Sequence, residues 1–156
     1  MTRWTAEGAI DIAAPPSLVY ELVSDVTGYG RWAAETMSAE WIGAATGPSV
    51  GARFRGRNRN GWHRWSTVCT VTAAEPDRMF EFRVHYVIPT ACWRYEITPT
   101  NSGCYVTERT ARLSPLPLSW LANLALAGVG DRDARNQRNI VRSLGQLKHH
   151  AEALGR

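Results

Sequence analysis

The sequence predicts an α+β fold: seven antiparallel strands, two short helices after the first strand, and one long helix at the C-terminal end. Three observations carry this. Apolar and polar residues alternate with period two from Ser38 to Ser114, and turn residues cut that stretch into six segments. A separate alternating segment, Thr5 to Ile12, precedes it. Beyond Pro115 and Pro117 the period turns helical and stays so to Leu154.

The first strand ends at Ala13-Ala14-Pro15-Pro16, where two prolines remove ladder donors. Proline is tolerated in a first helical turn, so a helix starts there, with Leu18, Val19, Leu22 and Val23 at helical spacing. Ser24-Asp25 suits the cap of a second helix, kept short by Gly28 and Gly30 around Tyr29. Turns follow at Gly47-Pro48, Asn60-Gly61, Glu75-Pro76-Asp77, Ile88-Pro89 and Asn101-Ser102-Gly103. Asn60-Gly61 is the strongest hairpin signal, because both central residues of a type I′ turn need positive φ. All these connections are short, so the strands should pair as an antiparallel meander. From Asp131 to Leu154 the residues Ile140, Leu144, Leu147, Ala151 and Leu154 form one apolar stripe on a helix of roughly 36 Å, which needs a sheet to lie on.

The 156 residues suit one domain spanning 1–156, and 44% hydrophobic with 21% charged residues is an ordinary globular composition. No apolar run follows Met1 to Gly8 as a signal peptide would have it, and Leu118 to Val129 is too short and too interrupted to span a bilayer, so a cytoplasmic protein is expected. Trp120, Leu121, Leu124 and Leu126 suit a lid or membrane-dipping segment, although a short packed helix is the simpler reading. Cys69, Cys92 and Cys104 form no C-x-x-C pair and read as buried thiols. Neither a metal nor a cofactor is expected, since zinc spacing, nucleotide fingerprint and phosphate-cradling loop are all missing from the sequence. A net charge of +4 permits an acidic partner without requiring one.

Alternation also assigns faces. Arg53, Arg55, Arg57 and Arg59 share one side of their strand and read as a solvated outer face, while Phe54, Gly56 and Asn58 share the other. A nucleic-acid surface would pair such charge with stacking aromatics, and Phe54 points away, so no nucleic-acid partner is expected. The same rule turns Trp65, Thr67, Cys69 and Val71 inward, then Phe80, Phe82, Val84 and Tyr86, then Trp93, Tyr95 and Ile97. Val71, Phe80, Phe82 and Ile97 read as core. Trp65, Tyr86, Trp93 and Tyr95 each carry a polar group that needs a partner when buried, which suits pocket walls as well as core. Cys104, Val106, Glu108 and Thr110 fall together, so a carboxylate shares an apolar face. Burial would raise its pKa and let it bond a ligand hydroxyl or move a proton; the plainer alternatives are a structural pair with Asn58 or Arg112, or a place at the rim. His63 beside its turn reads as exposed, and His149-His150 with Glu152 as surface.

The run Ile12-Ala13-Ala14-Pro15-Pro16-Ser17-Leu18-Val19-Tyr20, with Val23-Ser24-Asp25-Val26 and Tyr29-Gly30-Arg31-Trp32, resembles the polyketide cyclase/dehydrase and lipid-transport family of the START-like (SRPBCC) superfamily, which includes the major birch-pollen allergen. The resemblance extends over Arg64-Trp65, Ala74-Glu75-Pro76, Phe80-Glu81-Phe82, Trp93 to Ile97, Val106-Thr107-Glu108 and Leu144 to Lys148. It implies a helix-grip fold, in which a curved seven-stranded sheet holds the C-terminal helix around a hydrophobic pocket. The inward residues that the alternation offers for such a pocket are Phe54, Gly56, Asn58, Trp65, Tyr86, Trp93, Tyr95 and Glu108.

The implied function is binding, transport or sensing of a small hydrophobic molecule such as a lipid or polyketide. An aromatase/cyclase or dehydratase-type enzyme is the alternative, with Glu108 and Tyr95 the residues able to move protons. A toxin-like interaction module using the arginine face is a third reading.

Overall fold

The computed structural model describes every residue except 87, 115, 116, 118–120, 122, 123, 126, 127 and 129. Strand β1 (Ala6–Ile12) leads into helix α1 (Pro16–Ser24) and the 3₁₀ helix η1 (Val26–Arg31). Strands β2 (Thr36–Ile42), β3 (Arg53–Asn60), β4 (His63–Glu75), β5 (Met79–His85), β6 (Pro89–Thr100) and β7 (Gly103–Arg112) follow, then helix α2 (Arg132–Leu154). The strands form one antiparallel sheet in the order β1-β7-β6-β5-β4-β3-β2. The meander is therefore as the sequence predicts, and β1 closes it by pairing with β7. Segment 118–129, read above as a lid or packed helix, lies largely outside the described residues.

Local chemistry accounts for the ends of these elements. Pro15 and Pro16 start α1 without needing donors, and the Asp25 side chain accepts from the Thr27 backbone N–H at 3.1 Å to begin η1. Asp131 caps α2 by accepting from the Ala134 N–H at 3.1 Å. The β3–β4 hairpin differs from its prediction by one residue. Asn60 pairs with His63, so the loop is Gly61-Trp62, and only Gly61 has positive φ (60°). That is the requirement of a type II′ turn, which needs left-handed backbone at its first central residue alone.

The core lies between the concave face and the two longer helices. Ile12, Val71, Phe80, Ile97, Cys104 and Val106 of the sheet meet Val19 and Val23 of α1 and Leu144, Leu147 and Ala151 of α2. Leu154 does not complete the stripe on α2; it is 56% exposed, because at the helix end Gly155 rather than Leu154 faces Ala14 and Leu18. Arg53, Arg55, Arg57 and Arg59 stand on the outer face as predicted. Farther along that face, Glu81, Arg94, Glu96, Arg109 and Glu7 form a ladder of ion pairs across β5, β6, β7 and β1, with Trp4 over Arg94 and Arg109. No described helix is long and apolar enough to cross a membrane.

Candidate functional site

The core does not fill the whole concave face. Toward the β3–β4 hairpin a cavity of about 210 Å³ opens between the sheet, the segment after η1 and the N-terminal half of α2. Composition explains the gap. At this end short side chains, Gly56, Thr67 and Thr110, stand among the inward aromatic ones, where the other end holds Val71, Ile97 and Val106. A Cβ at Gly56 would come no nearer than 3.5 Å to another atom, an ordinary contact with Thr67, so no neighbour presses on the strand there.

All eight pocket residues suggested by the sequence border this cavity: Phe54, Gly56 and Asn58 from β3, Trp65 from β4, Tyr86 just past β5, Trp93 and Tyr95 from β6, and Glu108 from β7. Tyr86 is 49% exposed and marks the end at which the cavity meets the surface. Asn58 is held in place by Thr36, whose hydroxyl lies 3.2 Å from Oδ1, and donates to the Thr67 hydroxyl at 3.4 Å.

Glu108 is the chemical centre of the cavity. It is only 2% exposed, and Oε1 accepts from the Tyr95 hydroxyl at 2.9 Å. The other oxygen, Oε2, is buried with no hydrogen-bond partner among the described residues. Neither Asn58 nor Arg112 is its partner, contrary to the plainer sequence reading; Arg112 pairs with Asp133 instead, and the buried position rules out the rim. Burial pushes the carboxyl up from 4.5 to about 8, and the Tyr95 bond only partly opposes this. At neutral pH the group is therefore mostly a neutral acid. Burial and then the nearby Glu108 charge hold Tyr95 and Tyr29 well above the usual phenol range, so both stay protonated.

The helix supplies the opposite wall. Asn136, Asn139 and Ser143 of α2 face the cavity. Ser143 Oγ accepts from the Ala34 N–H at 2.9 Å, whereas Asn136 is 6% exposed and its Oδ1 has no partner among the described residues. Ion pairs hold the start of α2 over the mouth. Arg132 grips Glu35 with two bonds of 3.1 and 2.6 Å and lies over the Trp65 ring, Arg135 adds a bond to Glu35, and Asp133 pairs with Arg112.

Sequence reasoning missed Glu35, Asn136, Asn139 and Ser143, because polar positions on a helix or loop read as solvated when their tertiary neighbours are unknown. The Tyr95–Glu108 contact had a usable signal. Counting back from the two-residue loop Asn101-Ser102 sets Tyr95 opposite Glu108. His63 is half-buried rather than exposed, beside the ring of Trp62, and does not border the cavity. The three cysteines are buried and unpaired, and burial raises Cys69 to about 12 and Cys92 to about 11, so these thiols are poor nucleophiles. Among the described residues no group of His, Cys, Asp and Glu is arranged to hold a metal.

The family model for polyketide cyclase / dehydrase and lipid transport matches residues 3–152. Among solved structures, the chain is similar to the polyketide cyclase-like protein Cgl2372 from Corynebacterium glutamicum, with 28% identity, a TM-score of 0.53, and coverage of 100% of this chain and 92% of that one. It is also similar to the di-domain ARO/CYC StfQ from the steffimycin biosynthetic pathway, with 16% identity and a TM-score of 0.69 over 95% of this chain and 50% of that one. Protein CV1439 from Chromobacterium violaceum shares 11% identity at a TM-score of 0.68, over 94% and 96% of the two chains. No match was found among curated proteins.

Proposed function

Because the chain belongs to the polyketide cyclase/dehydrase and lipid transport family, we propose that it binds a small, largely apolar molecule in the cavity between the concave face and α2. The observation that carries this reading is the form of the cavity: aromatic walls around about 210 Å³, with one buried acid whose Oε2 has no partner among the described residues. Buried polar atoms are nearly always bonded, so an unpartnered one on a side chain that lines a cavity is a place for a ligand atom. The test is native mass spectrometry of the protein as expressed, paired with Gly56→Leu. The variant should keep its fold, because the new side chain meets no clash at its Cβ and has the cavity beside it, and should lose the retained molecule. A wild type that carries no small molecule and binds no apolar probe would defeat the reading.

A second reading rests on the neutral state of Glu108. In a dehydratase-type reaction, Oε2–H would protonate a leaving hydroxyl, releasing water, and the resulting carboxylate would remove a proton from the adjacent carbon to restore the acid. Tyr95 would act as a positioning residue by holding Oε1. The two readings separate in Glu108→Gln, which should retain binding and abolish turnover only if the protein is an enzyme.

A further inference from the structure

We infer that Glu108 and Asn136, from opposite walls of the cavity, form a hydroxyl-anchoring subsite, and that the ligand is an uncharged molecule of one or two rings carrying a hydroxyl. This inference rests on the ligand-binding reading above and narrows it to a chemical class.

Size sets the first limit. An apolar cavity of about 150 Å³ accommodates benzene. The 210 Å³ here, walled by Phe54, Phe82 and Trp93, has room for one or two rings. Polarity sets the second. Asn136 Oδ1 is a buried acceptor and requires a donor. Glu108 Oε2 requires an acceptor while the carboxyl is protonated and a donor once it ionises. A hydroxyl supplies both. A carbonyl cannot serve Asn136 Oδ1, and an ether cannot serve it either. Charge sets the third. Among the described residues the ionic groups at the mouth already hold one another, Arg132 and Arg135 sharing Glu35 and Arg112 on Asp133, so a charged ligand would have to displace one of these pairs. A carboxylate beside Glu108 would also meet a low-dielectric wall and a second acid.

The experiment compares 2-naphthol with 2-methylnaphthalene, which differ by OH against CH₃ at nearly constant shape, by NMR titration of the whole protein. In a merely greasy cavity the methyl compound binds more tightly, because the hydroxyl gives up its bonds to water. With the anchor, 2-naphthol should bind about tenfold more tightly, the size of one net hydrogen bond. In Asn136→Leu the preference should fall by about the same factor while 2-methylnaphthalene still binds. Glu108→Leu provides a second removal of the anchor should the first variant fail to fold. Equal or tighter binding of 2-methylnaphthalene to wild type would overturn the hydroxyl subsite and leave the ligand-binding reading intact. Binding of neither probe would overturn both.

Discussion

The two ends of the concave face belong to one continuous sheet and are crossed by the same helix, yet one is solid and the other hollow. At the closed end, Ile97 of β6 sits opposite Val106 of β7, and Leu147 and Ala151 of α2 are fully buried above the sheet. At the open end, Gly56 sits opposite Thr67 and Asn58 opposite Trp65, beneath Asn136 and Ser143 of the same helix. The alternation is equally regular in both. Side-chain volume and polarity make the difference, and they make it in the sheet and the helix together. The closed end derives stability from apolar contact, and the open end carries Glu108 Oε2 and Asn136 Oδ1, which have no partner among the described residues.

Truncating Leu147 to Ala should sharpen this contrast most. The site is fully enclosed, so a cavity must remain, and a loss of about 2–5 kcal/mol is expected in urea unfolding. A loss below about 1 kcal/mol would mean that the closed end is not close-packed.

Glu108→Gln tests the open end through pH. Because burial raises the carboxyl from 4.5 to about 8, the folded chain keeps a proton that the unfolded chain has released across that interval. Wild-type stability should therefore fall as pH rises through the interval, by up to about 1.4 kcal/mol per unit, and level off above about 8. The variant lacks this contribution, so its stability relative to wild type should climb by a few kcal/mol between pH 5 and pH 8. Parallel curves for the two proteins would show that Glu108 is ionised in the folded state.

Two inward glycines give a matched pair. A Cβ at Gly8 would lie 2.8 Å from Ile140 Cγ2, while one at Gly56 meets nothing closer than 3.5 Å. Gly8→Ala should cost about 1–3 kcal/mol by overpacking, and Gly56→Ala less than about 1 kcal/mol. Equal costs at the two sites would mean that Gly56 has no more room around it than Gly8, which packs directly against α2. The smallest effect belongs to the convex face, where Arg55→Glu should change stability by no more than about 0.5 kcal/mol by thermal unfolding, since Arg55 is exposed. Loss of cooperative folding there would mean that the faces of β3 are reversed.

The order of elements, the pairing of neighbouring strands and the alternation of faces along β3, β6 and β7 are local properties, fixed by period, prolines and turns, and they were legible in the sequence. That is why Trp65, Tyr95 and Glu108 were found on the inner face and the arginines of β3 on the outer. Where a turn admits two nearby settings, as at Asn60-Gly61-Trp62, the local signal located the hairpin and missed its centre by one residue. Only the tertiary structure decided which inward residues meet the helix, because that depends on where α2 crosses the sheet. It set Leu147 over close-packed aliphatic side chains and Asn136 over a cavity. It joined Glu35 to Arg132, 97 positions away, across the mouth. It also decided the protonation of Glu108, since the pKa of a carboxyl follows from the water removed from around it, and no spacing of residues along a chain records that.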